Sequence, residues 1–175
     1  EFLNVSRLMK IDGFDIAFNE NEEKHLDTVP QHSLIEYITS KSKTSLLKIK
    51  PSMIAIPTIF STHQDHVQAY KISLASLRAR PQKTSVCPKM VLSYESPEYH
   101  FWSAYSEFGQ FSPNFFIELN KVEINDKVKM FRLSKSQFRK NQRDGEKITS
   151  LAKIRGNEIG ANYAESYHIH RMTIK

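Results

Sequence analysis

The apolar residues of this chain fall into short runs, some continuous and some alternating with polar residues, and these runs are separated by stripes at helical spacing. The runs are typical of strands, and they lie at residues 14–18, 53–57, 89–94, 115–119 and 166–174. The helical stripes lie between these runs. Because strands alternate with helices along the chain, the pattern predicts an α/β layered fold with a mainly parallel sheet flanked by helices.

The ends of the helices are predicted from capping and breaking residues. A helical pattern that begins at Gln31 continues until Pro51, and Asp65 is expected to cap the next helix. Asn125 or Asp126, and then Asp144, are expected to cap two later helices. The apolar stripes of these three capped helices are Val67, Tyr70, Leu74 and Leu77; Val128, Phe131 and Phe138; and Ile148, Leu151 and Ile154.

The composition is that of a globular protein. With 175 residues, 39% hydrophobic and 25% charged, we expect residues 1–175 to form a single domain. No apolar run approaches the roughly 20 residues that cross a bilayer, so no membrane span is predicted. A single cysteine, Cys87, cannot form an internal disulfide, which favours the cytoplasm. The chain begins at Glu1 without an initiator Met, which indicates a fragment or a processed form.

The net charge of +6 is concentrated in one segment, because residues 121–155 hold eleven Lys or Arg residues against four acidic ones. The same segment is predicted to form two helices, so we favour a solvated helix face as the explanation. An acidic partner or anionic substrate comes second. Nucleic-acid binding comes last and is not expected, since aromatic residues are not interleaved with the basic ones.

The segment with the most chemical information is Thr62 to His66, which contains two histidines three positions apart. It follows the apolar run and opens a helix, and sites in open α/β sheets lie at the carboxyl ends of strands. The positive end of a helix disfavours imidazolium there, and neutral imidazole is the form that binds metals. Asp65 is placed to cap the helix or orient a ring. From the residues alone, a metal site and an ordinary surface pair are about equally favoured.

A second pair of histidines, His168 and His170, alternates on the last predicted strand and therefore shares one face. We interpret this pair as solvent-facing. Cys87 has no acid–base partner nearby in sequence, so a catalytic thiol is not expected.

The stretch His63-Gln64-Asp65-His66, preceded by an apolar strand, resembles the second motif of the PIG-L/LmbE-like metal-dependent deacetylases. The resemblance covers essentially the whole chain, because later stretches agree in order and spacing. It implies a Rossmann-like fold, zinc or another divalent metal, and hydrolysis of an N-acetyl group on an amino sugar or glycoconjugate. The later stretches are residues 94–96, residues 111–119, Lys127, Ser136-Gln137, Arg155-Gly156 and residues 163–165.

The resemblance also implies roles for particular residues. His66 would be a metal ligand, His63 would stabilise or protonate the tetrahedral intermediate, and Asp65 would steady that arrangement. Three further residues match family positions near the substrate pocket, although the last two are equally consistent with ordinary helix-surface positions: Glu95, Lys127 and Gln137.

The chain departs from the family in one respect. The family's first motif, His-Pro-Asp-Asp-Glu or a close variant, supplies two metal ligands and the general base, and no such string occurs here. We therefore expect an N-terminal βαβ unit to be missing, a sheet edge to be unpaired, and the sequence as given to be inactive although the whole protein is a deacetylase. The alternative is a non-catalytic sugar- or small-molecule-binding protein of the same fold. The sequence leaves a homo-oligomer open.

Overall fold

A computed structural model of the chain describes residues 2–18, 25–61, 63–78, 86–97, 109–135 and 144–174. Four strands and six α-helices are described there, together with a 3-10 turn at Leu26–Thr28 and a π-helical turn at Tyr37–Lys41. In chain order they are α1 (Phe2–Leu8), α2 (Gln31–Glu36), α3 (Leu46–Ile49), β1 (Met53–Pro57), α4 (Gln64–Ser76), β2 (Met90–Tyr94), β3 (Phe115–Glu118), α5 (Lys121–Leu133), α6 (Gly145–Ile159) and β4 (Ala164–Met172).

The four strands form one sheet in the order β1–β2–β4–β3. β1 and β2 are parallel, as the intervening helix α4 allows, whereas β3 and β4 are antiparallel. The predicted α/β layered fold is confirmed, with the difference that the sheet is mixed. No helix among the described residues is long and apolar enough to cross a membrane.

The chain divides into two compact units. The first unit comprises residues 13–95, 103–112 and 168–175, and it holds β1, α4 and β2. The second unit comprises residues 1–12, 96–102 and 113–167, and it holds β3, α5 and α6. That the whole chain is a single domain stays a prediction.

The core of the first unit forms where α4 packs beside β1 and β2. Leu77 of α4's apolar stripe is buried in the same cluster as Ile56 of β1 and Val91 of β2. Tyr70 and Leu74 pack against this cluster, which confirms three of the four residues predicted for the stripe; the fourth, Val67, is half-buried.

The core of the second unit lies between α5 and α6 and contains Ile124, Ile148 and Ala152. Ile154 was expected in the buried stripe of α6 but is 50% exposed, so that part of the prediction is wrong. The small residue Ala152 packs in this core one turn after Ile148.

The caps of these two helices were predicted with mixed success. Asp144 caps α6 as expected, because its carboxylate accepts the Lys147 amide at 3.2 Å. α5 begins earlier than Asn125 or Asp126, so that prediction is wrong. Its cap is Asn120, whose side chain accepts two first-turn amides while the Glu123 carboxylate accepts the Asn120 amide at 2.8 Å.

Three other expectations fail in the first unit. Residues 14–18 form no strand, because Asp15 accepts the Lys43 amide and the Ser42 hydroxyl, each at 2.8 Å. The hydrogen bonds from Lys43, Tyr37 and Ser42 lower the pKa of Asp15 to about 2. The helix from Gln31 is interrupted before residue 46. The continuous apolar run of residues 53–57 is the pattern expected of a strand buried on both faces, but β1 lies at the end of the strand order and Met53 is 52% exposed.

Candidate functional site

The carboxyl ends of β1 and β2 place several of the candidate residues at one edge of the sheet. Pro57 is in register with Tyr94, and the Thr58 amide donates to the Tyr94 carbonyl at 3.0 Å. Glu95 directly follows β2, and the loop to His63 follows β1. The two segments therefore leave the same edge, which is where open α/β sheets place their sites.

His63 caps α4 with its imidazole ring. Its Nδ1 accepts the Asp65 amide at 3.2 Å, so the helix begins at Gln64 and its cap is His63, which corrects the prediction that Asp65 would cap it. The Asp65 carboxylate has another partner, because its Oδ1 accepts the Leu26 amide at 3.0 Å. Asp65 thereby fastens the turn at Leu26–Thr28 to the first turn of α4.

This cap also decides which nitrogen of His63 carries the proton. A neutral imidazole has one N–H donor and one acceptor nitrogen. Since Nδ1 accepts the Asp65 amide, the proton of the neutral ring lies on Nε2. The Asp65 Oδ2 atom is 3.8 Å from Nδ1, which is too long for a hydrogen bond. His63 is therefore suited to donate a hydrogen bond from Nε2 rather than to bind a metal there.

His66 lies in the first turn of α4, and its ring is close to that of His63. Its amide donates to the His63 carbonyl at 3.1 Å. The two ring centres are 5.2 Å apart with their planes inclined by 33°, and His66 is half-buried. The structure thus brings the two histidines together, as the sequence predicted.

A complete metal site is not formed by the described residues. No group of three or more His, Cys, Asp or Glu side chains that could hold a metal ion is present within residues 2–18, 25–61, 63–78, 86–97, 109–135 and 144–174. A catalytic zinc site usually has three protein ligands. The described residues offer His66 as one ligand, which does not suffice, so no reaction step through a metal is derived from them.

In the second unit, Lys127 is part of a polar triad that sequence reasoning missed. Its Nζ forms an ion pair with Oε1 of Glu165, and the Tyr167 hydroxyl donates to Oε2 of Glu165 at 2.5 Å. Glu165 and Tyr167 alternate on β4, and this alternation is the sequence signal that they share a face. The Lys127 ammonium is thus engaged by a carboxylate of its own chain.

The triad shifts the pKa values of two of its members. Burial raises the pKa of Glu165, but its attraction to Lys127 and its hydrogen bonds to Lys127 and Tyr167 outweigh that effect, so the net pKa lies below its ordinary 4.5. Burial and the neighbouring Glu165 carboxylate raise the pKa of the Tyr167 hydroxyl well above its ordinary value. The carboxylate is therefore ionised and the phenol neutral at pH 7.

The remaining candidates are placed separately. Glu95 is half-buried at the carboxyl end of β2, and Gln137 lies outside the described residues. The substrate-binding roles of Glu95, Lys127 and Gln137 stay predictions.

Comparisons with known proteins find similarity in structure. No protein-family model and no curated protein sequence matches the chain. The conserved protein TT1542 from Thermus thermophilus superposes with a TM-score of 0.69 at 17% identity, covering 99% of this chain and 72% of that protein. The N,N'-diacetylchitobiose deacetylase from Pyrococcus horikoshii gives a TM-score of 0.60 at 16% identity, covering 95% of this chain and 60% of that protein.

A third similar structure is the zinc-inhibited form of the teicoplanin deacetylase Orf2, with a TM-score of 0.58 at 14% identity, covering 91% of this chain and 58% of that protein. The chain thus spans between about three fifths and three quarters of these proteins. At such identities the likeness establishes the fold, and the chemistry has to be argued from the residues of this chain.

Proposed function

We propose that the protein is a metal-dependent hydrolase that removes the N-acetyl group from an amino sugar or glycoconjugate. Two of the three structures compared above are named as deacetylases. The observation that carries the proposal is the pairing of His63 and His66 beyond the carboxyl ends of β1 and β2. The tautomer of His63 makes its ring a hydrogen-bond donor, and His66 beside it is a candidate metal ligand.

His63 is proposed to act on the acetamide oxygen. Attack of water on an acetamide carbon places negative charge on that oxygen, and donors aimed at such an oxygen accelerate acyl transfer. Nε2–H of His63 is such a donor, and the cap at Nδ1 holds the ring in the required tautomer. Asp65 supports the arrangement because its amide makes this bond while its carboxylate anchors the Leu26 segment.

His66 is proposed as one ligand of a zinc ion or another divalent metal. The similar structure of Orf2 is described in a zinc-inhibited form, which suits a fold that admits this metal. The other ligands and the general base would come from residues beyond those described. When bound in a hydrolase, zinc supplies a water molecule of lowered pKa.

The proposal extends to the substrate and the setting. Glu95 and Gln137 are proposed to contact the amino sugar; Lys127 is proposed to support the pocket while it is paired with Glu165. We propose a cytoplasmic enzyme without a nucleic-acid partner.

The first experiment replaces His66 in the full natural protein by alanine, with the exposed His32→Ala as the matched control. We expect His66→Ala to lose one zinc ion per chain and acetate release from N,N'-diacetylchitobiose and N-acetylglucosamine, whereas His32→Ala keeps both. Zinc per chain is measured by elemental analysis and acetate by a coupled assay. If His66→Ala retains both zinc and activity, the proposal is wrong.

The second experiment separates the two histidines. We expect His63→Ala to retain zinc but to lower kcat by about 10²–10³, as the loss of one oxyanion donor does. His63→Asn is the companion variant, because an asparagine can still cap the helix. An unchanged kcat in both variants would remove His63 from the mechanism.

The alternative function is a non-catalytic protein that binds the sugar with the same fold. It is favoured by the finding that the described residues contain no group of three candidate metal ligands. Calorimetric binding of N-acetylglucosamine without acetate release, by the full natural protein with zinc supplied, would favour this alternative.

A further inference from the structure

The first unit contains a second pair of neighbouring imidazoles, on β4. His168 and His170 occupy alternate positions of the strand and therefore point to the same face. Alternate residues of a strand lie roughly 6.6–6.8 Å apart. Their ring centres are only 5.0 Å apart, with planes inclined by 59°, so the two rings lean towards each other.

The backbone fixes the tautomer of His168. Its Nδ1 lies 2.8 Å from the carbonyl oxygen of Ser112. Since a carbonyl oxygen can only accept, Nδ1 carries the proton, and in the neutral ring Nε2 therefore presents a lone pair. This arrangement is the one usual for metal-binding histidines, in which a carbonyl holds the ring by its other N–H. It is also the opposite of the tautomer found in His63.

His170 is exposed and makes contacts with two rings. Its ring centre lies 5.7 Å from that of Tyr70. In its neutral form, an imidazole ring has one nitrogen lone pair to offer.

The spacing of the two rings agrees with a shared ion. With a metal–nitrogen bond of about 2.0–2.1 Å, the centre of an imidazole ring lies roughly 3.2 Å from the metal, and two rings at a tetrahedral angle have centres about 5.2 Å apart. The observed separation is 5.0 Å. We propose that His168 and His170 together bind a divalent transition-metal ion, separate from any ion held by His66.

The ligand chemistry defines which ions would bind. Imidazole nitrogens suit Zn²⁺, Cu²⁺ and Ni²⁺, whereas Mg²⁺ and Ca²⁺ prefer oxygen ligands. The protein supplies two ligands here, and water or a group of a bound molecule completes the coordination. The site is therefore open and exchangeable.

The test titrates Zn²⁺ alone into the His66→Ala variant of the full natural protein, followed by calorimetry. Because position 66 is alanine in this variant, it cannot contribute to Zn²⁺ binding, and the outcome does not depend on the proposed deacetylase activity. We expect this variant to bind Zn²⁺, and we expect adding His168→Gln or His170→Gln to weaken that binding. The affinity should fall by at least the roughly 10–100-fold that losing a group supporting a metal ligand costs. The added control His32→Gln is expected to leave the affinity unchanged. Zn²⁺ binding that is equally strong after both strand histidines are replaced would overturn the proposal.

A spectroscopic measurement covers the case in which a variant folds poorly. In the His66→Ala protein, imidazole ¹⁵N shifts should show the proton of His168 on Nδ1 and Zn²⁺-dependent changes at His168 and His170. A proton on Nε2 of His168, or changes confined to the other histidines, would contradict the inference.

Discussion

Replacing Glu165 by glutamine is the sharpest test of how the second unit is held together. The change keeps the size of the side chain but removes the charge that joins Lys127 of α5 to Tyr167 of β4. Lys127 and Tyr167 then each face a neutral amide instead of a carboxylate. We expect the free energy of unfolding to fall.

The size of this fall follows from the exposure of the partners. The side chains of Lys127 and Glu165 are 44% and 27% exposed, so the ion pair is partly screened and contributes about 0.2–1 kcal/mol. The hydrogen bond from Tyr167 to a charged, more buried oxygen contributes about 1.5–3 kcal/mol, of which a glutamine oxygen retains a part. We therefore expect a loss of about 1–2 kcal/mol, or a Tm lower by roughly 2–8 °C for a chain of this size.

The pH dependence provides a second signature. Because the pKa of Glu165 is lowered in the folded state, its carboxylate stabilises the fold above the unfolded value, near 4.5, and this stabilisation is lost as pH falls through the lower folded value. Urea unfolding of both proteins at pH 7 and at pH 3 measures the effect. The difference between wild type and Glu165→Gln should be present at pH 7 and shrink in acid.

Asp126→Asn is the matched control, because Asp126 forms an exposed ion pair with Lys129 on the same helix. We expect it to change stability by at most about 0.5 kcal/mol. If Glu165→Gln is no more destabilising than this control, or if its effect does not depend on pH, the triad does not stabilise the unit as argued.

Three other substitutions test local features of the second unit. Gly156→Ala should destabilise the protein by about 1–3 kcal/mol in spite of alanine's helix propensity, because the added Cβ would lie 2.6 Å from the Ala161 carbonyl oxygen. Gly160→Ala, at φ 76° with open space around it, should cost only about 1 kcal/mol. If urea unfolding gives the reverse order, the packing argument is refuted. Asn120→Ala should cost about 0.5–2 kcal/mol and increase amide exchange in the first turn of α5, and unchanged exchange there would show that the cap is dispensable.

Much of the fold could be predicted because it depends on local pattern. β1 was located to the residue, and α4 was identified by its apolar stripe, since periodicity reports which face of an element is buried. The predicted strand at residues 14–18 failed because its alternation is overruled by the bonds of Asp15 to residues 42 and 43. Such long-range partners leave no trace in local sequence.

The candidate site, too, was predictable only where it depends on local sequence. The proximity of His63 and His66 follows from a loop and a first helical turn, so the sequence contained it. Which residue caps α4 could not be predicted from the sequence, because the choice between His63 and Asp65 depends on Leu26, which is 39 positions away from Asp65. The pairing of Lys127 with Glu165, 38 positions apart, was hidden for the same reason.

The ring of His63 links the end of a helix to the chemistry proposed for it. One lone pair on Nδ1 both closes the first turn of α4 and determines where the ring holds its proton. A substitution that removes this ring therefore removes the helix cap and the proposed proton donor together, whereas asparagine restores only the cap.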